Sequence, residues 1–210
     1  DLGNFYYDKN DEESYKAAKI MYQKSSDLGN HDATVSIGDL YRYGLGIKKN
    51  IKKAISYYSK AKELAVKTDA LLNLGNIYLY GEGVSVNYKK AKELFEDAVE
   101  YEDSAEAMNY LGYMHQYGYG VKMNILKAKN YYKDAINGNY EIAYINLARI
   151  YMGEENFEEG LNLYNQAIKD FESGYANLDL GKSYFNGWGV DINNDIALKY
   201  FLEAKNLGIK

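Results

Sequence analysis

Leu74-Gly75-Asn76-Ile77-Tyr78-Leu79-Tyr80-Gly81-Glu82-Gly83-Val84 is the stretch whose reading decides how this chain folds. Near-copies stand at Ile37–Ile47, Leu111–Val121 and Leu180–Val190. The leading glycines Gly38, Gly75 and Gly112 follow one another at 37 residues (38 to 75, 75 to 112). A period in the thirties built on helical patterning is the signature of stacked repeats.

Each copy is followed by a second helical stripe with small residues bracketing large ones. The set is Ala54, Tyr57, Tyr58, Ala61; then Ala91, Leu94, Phe95, Ala98; then Ala128, Tyr131, Tyr132, Ala135; and Ala197, Tyr200, Phe201, Ala204. The i, i+3, i+4, i+7 spacing marks one buried face of an amphipathic helix. A shorter version, Ala18, Met21, Tyr22, Ser25, opens the chain. Asn50, Asn87, Asn124 and Asn193 precede these helices, where an amide side chain caps free backbone N–H groups.

Two kinds of glycine are expected to do different work. The Gly38-type residue lies inside a helix, where glycine costs about 1 kcal/mol relative to alanine. In the unit at 140–172 its place is taken by Ala148, so the demand is for small volume and not for a positive φ. The pairs Gly44/Gly46, Gly81/Gly83, Gly118/Gly120 and Gly187/Gly189 fall at helix ends and suit left-handed turns. They do not form a phosphate loop: the preceding strand and the Gly-Lys-Ser/Thr sequence are missing.

Taken together, Ala70, Leu74, Gly75, Tyr78, Gly81, Gly83, Val84, Asn87, Lys90, Ala91, Leu94, Phe95 and Ala98 form a pattern that resembles the SEL-one-like repeat, a relative of the tetratricopeptide repeat. The resemblance covers essentially the whole chain and implies an all-α fold, a right-handed superhelix (solenoid) of antiparallel helix pairs. The approximate units are 1–29, 30–66, 67–103, 104–139, 140–172 and 173–210. The first lacks the glycine loop, the unit at 140–172 has a shorter turn at Gly153–Phe157, and His115 stands where other units have tyrosine. Family members usually act as protein-binding adaptors or scaffolds. A cysteine-rich subgroup has been linked to β-lactam binding, which carries little weight for a chain with no cysteine.

Helix geometry nominates a binding surface. Positions −5, −1 and +3 from the glycine share one face, and −3, +1 and +4 cluster opposite, the face that lines the concave groove in tetratricopeptide relatives. The candidates are Val35, Asp39, Arg42; Leu72, Asn76, Leu79; Asn109, Tyr113, Gln116; Ile145, Arg149, Met152; and Leu178, Lys182, Phe185. They differ between units while the other face repeats, and they mix apolar, aromatic and arginine side chains of the kind enriched at interface centres. Trp188, in the middle of a G-x-G loop, reads either as an exposed anchor or as packing across a repeat junction.

Chemistry of its own is not expected. His31 and His115 are the only histidines, and no cysteine, H-E-x-x-H motif or Ser-His-Asp set can be assembled. No cofactor or metal is called for. The expected partner is therefore a protein or peptide. A structural or oligomerisation module is the first alternative; a small-molecule or cell-wall-component binder, or an enzyme, would need a buried pocket with convergent acids.

Charge narrows the field further. The net charge of −5 gives no reason to expect nucleic acid. Lysines cluster between Arg42 and Lys67, and acids between Glu93 and Glu106. Both read first as solvated helix faces, and the lysines second as a basic patch without the stacking platform a nucleic acid needs. No apolar run reaches the ~20 residues that span a bilayer. The start at Asp1, without methionine or apolar leader, reads as a processed or excised chain, so cytoplasmic and exported locations both stay open. Both ends look cut, which suggests a longer parent or end-to-end contacts.

Overall fold

The structure, a computed structural model, describes residues 2–64 and 68–209; Asp1, Lys67 and Lys210 lie outside the described residues. These form twelve α-helices and no strand, so the fold is all-α. The chain divides into two compact units, Asp1–Ala107 and Met108–Lys210.

The first unit holds α1 (Leu2–Tyr7), α2 (Glu12–Asp27), α3 (His31–Tyr43), α4 (Ile51–Leu64), α5 (Thr68–Tyr80) and α6 (Tyr88–Glu102). Helix α7 (Ala105–Tyr117) begins at its end and runs into the second unit. There follow α8 (Ile125–Asn137), α9 (Glu141–Gly153), α10 (Phe157–Phe171), α11 (Gly174–Asn186) and α12 (Asn194–Asn206). Within each unit the helices pack as consecutive antiparallel pairs, α3 on α4, α5 on α6, α9 on α10 and α11 on α12.

The in-helix glycines are explained by what lies on them. A Cβ on Gly38 would stand 2.5 Å from Tyr58 Cε1, and one on Gly75 2.4 Å from Phe95 Cε1. Tyr22 covers Gly3, Tyr132 covers Gly112 and Phe201 covers Gly181 in the same way. Each ring occupies the space a β-carbon would need on the partner helix; Tyr22, Tyr58, Phe95 and Tyr132 are buried there, which contributes roughly 1.5–3 kcal/mol per ring. None of these glycines has a positive φ, as the alanine at 148 implied.

The unit at 140–172 reverses the arrangement. Helix α9 carries Ala148 where others have glycine, and α10 carries Gly160 where others have alanine. A Cβ on Gly160 would lie 3.3 Å from the Ala148 carbonyl oxygen, the distance found from Gly112 to the Ala128 oxygen and from Gly181 to that of Ala197. Close approach needs one glycine per crossing, and either helix can supply it.

The paired loop glycines do take left-handed conformations, with φ between 62° and 75°. The second glycine of three of these pairs also brings the loop against the preceding hairpin: a Cβ on Gly46 would strike Tyr15 and Lys16, one on Gly83 Ile51, and one on Gly189 Phe157. The asparagines then close the loop. Asn50, Asn87, Asn124 and Asn193 each donate their N–H to a carbonyl on the preceding helix, at 2.8 to 2.9 Å. Their side chains accept from the N–H three residues on, capping α4, α6, α8 and α12. At 154–156 the link between α9 and α10 has only three residues, and Glu155, not a glycine, carries the positive φ of 61°.

His115 is buried and stacks on Tyr131 at 5.6 Å, as Tyr41 does on Tyr57 and Tyr184 on Tyr200, so it fills a tyrosine position. The charge runs partly pair. Lys62 meets Asp97 at 2.9 Å, Lys92 meets Glu96, and Lys53 lies over the Tyr41 ring. On the described residues these are solvated faces.

Candidate functional site

The fifteen nominated positions do not behave as one surface. Val35, Arg42, Leu72, Leu79, Asn109 and Ile145 are buried and present nothing to a partner. The reason is visible where the side chain is polar. Arg42 donates from Nε and Nη2 to both Glu82 carboxylate oxygens, at 2.9 and 2.6 Å, and from Nη1 to Asn73 at 2.7 Å. Asn109 accepts from Asn146 Nδ2 at 2.9 Å. In both cases the partner belongs to the next repeat of the same unit. A helix in a stacked array therefore has three faces: one for its own hairpin, one for the next repeat, and a strip between.

That strip is the +1 position. Asp39, Asn76, Tyr113, Arg149 and Lys182 hold it, and none of them is buried. It is tied to the packed rings beneath. The hydroxyl of Tyr22 donates to Asn4 at 2.8 Å and that of Tyr58 to Asp39 at 2.6 Å. One turn on, Tyr132 donates to Gln116 at 2.7 Å. The preference for tyrosine over phenylalanine follows, because the ring fills the hairpin while its hydroxyl reaches the strip.

In the first unit this strip is largely spent on structure. Asp39 accepts from Tyr58 and, at 3.4 Å, from Asn73, which in turn holds Arg42. Burial raises the Asp39 carboxyl above its ordinary range, against the lowering pull of the Tyr58 hydrogen bond and the Arg42 charge. Burial would likewise depress Arg42, but the bidentate Glu82 contact outweighs it and holds the guanidinium above its usual value. The Arg42 hydrogen bond in turn depresses Glu82.

The second unit keeps more in reach. Tyr113, Gln116, Met152, Leu178 and Lys182 are half-buried, and Arg149 and Phe185 are exposed. Two clusters form. Tyr113, Tyr117 and Tyr119 pack ring to ring, with centroids 4.8 to 5.8 Å apart. Arg149, Met152, Tyr164, Asp179, Lys182 and Trp188 line a cleft of about 290 Å³. Arg149 Nε donates to Asp179 Oδ2 at 2.6 Å, and Lys182 Nζ to Oδ1 at 2.7 Å. Tyr164 sits beside this pair; burial, reinforced by the Asp179 charge, raises its hydroxyl pKa well above normal.

Trp188 resolves both ways at once, being nearly half exposed and also lining the cleft with residues of the preceding repeat. Glu82 and Tyr119, its counterparts in other loops, also fold onto first-helix residues, Arg42 and Tyr113. Sequence reasoning compared Trp188 with Leu45, Glu82 and Tyr119 at the same loop position, but nominated neither those loop residues nor Asp179 and Tyr164. A signal was present: the residue between the constant glycines changes from Leu45 to Glu82, Tyr119 and Trp188. No group of metal-ligating side chains occurs among the described residues, and no described helix is long and apolar enough to cross a membrane.

Paired helices, glycine-ring contacts and recurrent caps define a helical-repeat protein with a variable outward strip. The Sel1 repeat model matches residues 2–30, 31–66, 68–100, 105–140, 136–170 and 174–209, and the chain belongs to the Sel1-repeat family. Among solved structures it is similar to a Sel1 repeat protein from Oxalobacter formigenes (TM-score 0.80, 25% identity, covering 98% of this chain and 86% of that one). It is also similar to c5321, a protective antigen of uropathogenic Escherichia coli with an SLR fold (TM-score 0.73, 24% identity), of which it spans 45% while 99% of this chain is covered. The immunity protein Pa5087 of Pseudomonas aeruginosa shares the fold at 18% identity and TM-score 0.66, covering 91% of this chain and 74% of that one. A comparison with curated protein sequences gives no match.

Proposed function

We propose that this chain is a non-catalytic scaffold that binds a protein or peptide through the outward strip of its first helices. The observation that supports it most is that Asp39, Asn76, Tyr113, Arg149 and Lys182, the +1 residues, all keep part of their surface exposed while differing in chemistry from repeat to repeat. In the second unit they are joined by Phe185, Trp188 and the Tyr113–Tyr117–Tyr119 cluster, aromatic side chains of the kind that dominate binding energy. The Sel1-repeat family, whose members are commonly interaction scaffolds, agrees with this reading.

The test compares the native chain with a Tyr113→Ala/Phe185→Ala variant, shown by circular dichroism to be folded, as baits in an extract of the source cell. A protein captured by the native bait alone, and binding it again when purified, supports the scaffold reading. Equal capture by both baits removes these residues from it. Leu79 is left native in this variant, because it is buried and its loss would destabilise the packing.

A structural role is the second reading. Helix α12 exposes Leu198 and Leu202, beside an apolar cleft of about 510 Å³ lined by Leu178, Phe201 and Ile209. Concentration-dependent assembly in sedimentation, abolished by Leu198→Asp, would favour it.

A further inference from the structure

Resting on that binding reading, we propose that the cleft between α9 and α11 recognises an acidic peptide segment. A carboxylate of the peptide meets Arg149 and Lys182, and an adjacent apolar side chain lies between Met152 and Trp188.

The charge count carries the argument. Two cations converge on one carboxylate, with Arg149 Nε and Lys182 Nζ at 2.6 and 2.7 Å from Asp179. The Asp179 side chain is 8% exposed, whereas Arg149 and Lys182 remain 47% and 44% exposed. The anion is enclosed and fully engaged, and one positive charge is left at the mouth. Neither cation is exhausted by its single bond to Asp179, since a guanidinium carries five N–H donors and an ammonium three. An arriving carboxylate would make charge-assisted hydrogen bonds there. A monoanion matches the surplus of one charge; a phosphate near −2 exceeds it.

The apolar half of the cleft decides the rest. Trp188 projects from a loop whose flanking glycines hold φ at 75° and 72°, so its approach to the cleft is set by the backbone. Met152 is a pliable wall suited to side chains of different shape. A volume of about 290 Å³ lies at the lower edge of small-molecule pockets, which run from roughly 300 to 1,000 Å³. It holds one or two side chains of a peptide and not a larger ligand.

The chain contains one tryptophan, so its fluorescence reports on this cleft directly. Random twelve-residue peptides displayed on phage are selected on the native chain, and recovered peptides are synthesised and titrated against Trp188 emission. The expected sequences carry Asp or Glu beside Leu, Phe or Tyr, and they change the emission on binding. Replacing the acid by its amide weakens binding at least tenfold, as does Arg149→Gln. Amidating the peptide C-terminus separates a terminal carboxylate from a side-chain one. Asp179→Asn frees both cations and tightens binding several-fold, a gain that damage to the fold would not produce.

An empty selection, unchanged Trp188 emission, equal binding of the amide peptide, or a preference for phosphopeptides overturns the proposal. Peptides that lose binding with Tyr113→Ala but not with Arg149→Gln sink this site and leave the scaffold reading standing. After an empty selection, the capture experiment above decides that reading alone.

Discussion

The Tyr58 ring lies on Gly38 so closely that a β-carbon there would come within 2.5 Å of Cε1. Tyr58 is fully buried and cannot swing aside. Helix propensity alone predicts that Gly38→Ala stabilises by about 1 kcal/mol. Overpacking, at about 1–3 kcal/mol, acts against it. The expected net effect is a loss of up to about 2 kcal/mol, a fall of up to a few degrees in melting temperature for a chain of this size. Gly153→Ala is the control: it has open space around it and a helical backbone, so it gains about 0.5–1 kcal/mol. Thermal melts followed by circular dichroism decide both.

Gly160→Ala separates glycine's volume from its neighbours' freedom. Its new methyl would meet Met152 Sδ at 2.5 Å, and methionine can rotate away where a buried ring cannot. Stability should change by less than about 1 kcal/mol, with the propensity gain offsetting the displacement. Because Met152 and Trp188 line the same cleft, the Trp188 emission maximum should shift. A loss as large as that of Gly38→Ala would show that Met152 is held rigidly.

The Arg42–Glu82 pair makes acid stability predictable in sign. Glu82 has a depressed pKa in the fold, so its contribution is present above its unfolded value of about 4.3 and is lost as pH falls through the lower folded value. Asp39 is raised by burial, so the fold gains stability as pH falls through that raised value, above about 3.9. Melts between pH 3 and 7 should show a shallower acid-side decline in Glu82→Gln and a steeper one in Asp39→Asn. At neutral pH, Glu82→Gln should cost about 1.5–3 kcal/mol, the usual worth of a hydrogen bond to a charged group.

Tyrosine ionisation should report unfolding at the alkaline end. Tyr58, Tyr132 and Tyr164 all have hydroxyl pKa values raised chiefly by burial. The unfolded chain releases these protons near pH 10 and the folded chain does not, so stability falls as pH rises past about 10. The phenolate absorbance of these residues should appear together with loss of helical circular dichroism. A smooth ionisation before any helix loss would contradict their burial.

Much of the candidate surface was legible in the sequence, but as two faces where the fold has three. The 100° rotation per residue correctly separated −5, −1 and +3 from the rest. It could not distinguish Arg149, which stays exposed, from Arg42, whose fork is filled by Glu82 and Asn73 of the next repeat. Stacking, not helix geometry, makes that division, and the residues involved are about 30 to 40 positions apart.

Local sequence signals account for the helices, their caps, the left-handed loops and the need for small residues at each crossing. These depend on local rules: hydrogen bonds within a few residues, backbone conformations open to glycine, and an apolar stripe of one period. Which side chains remain available became visible only in the folded structure. It showed Asp179 enclosed by Arg149 and Lys182, and Trp188 lining the same cleft from the next loop. Accessibility and surplus charge belong to an assembled surface, because they depend on which neighbours cover a residue and which opposite charges reach it first.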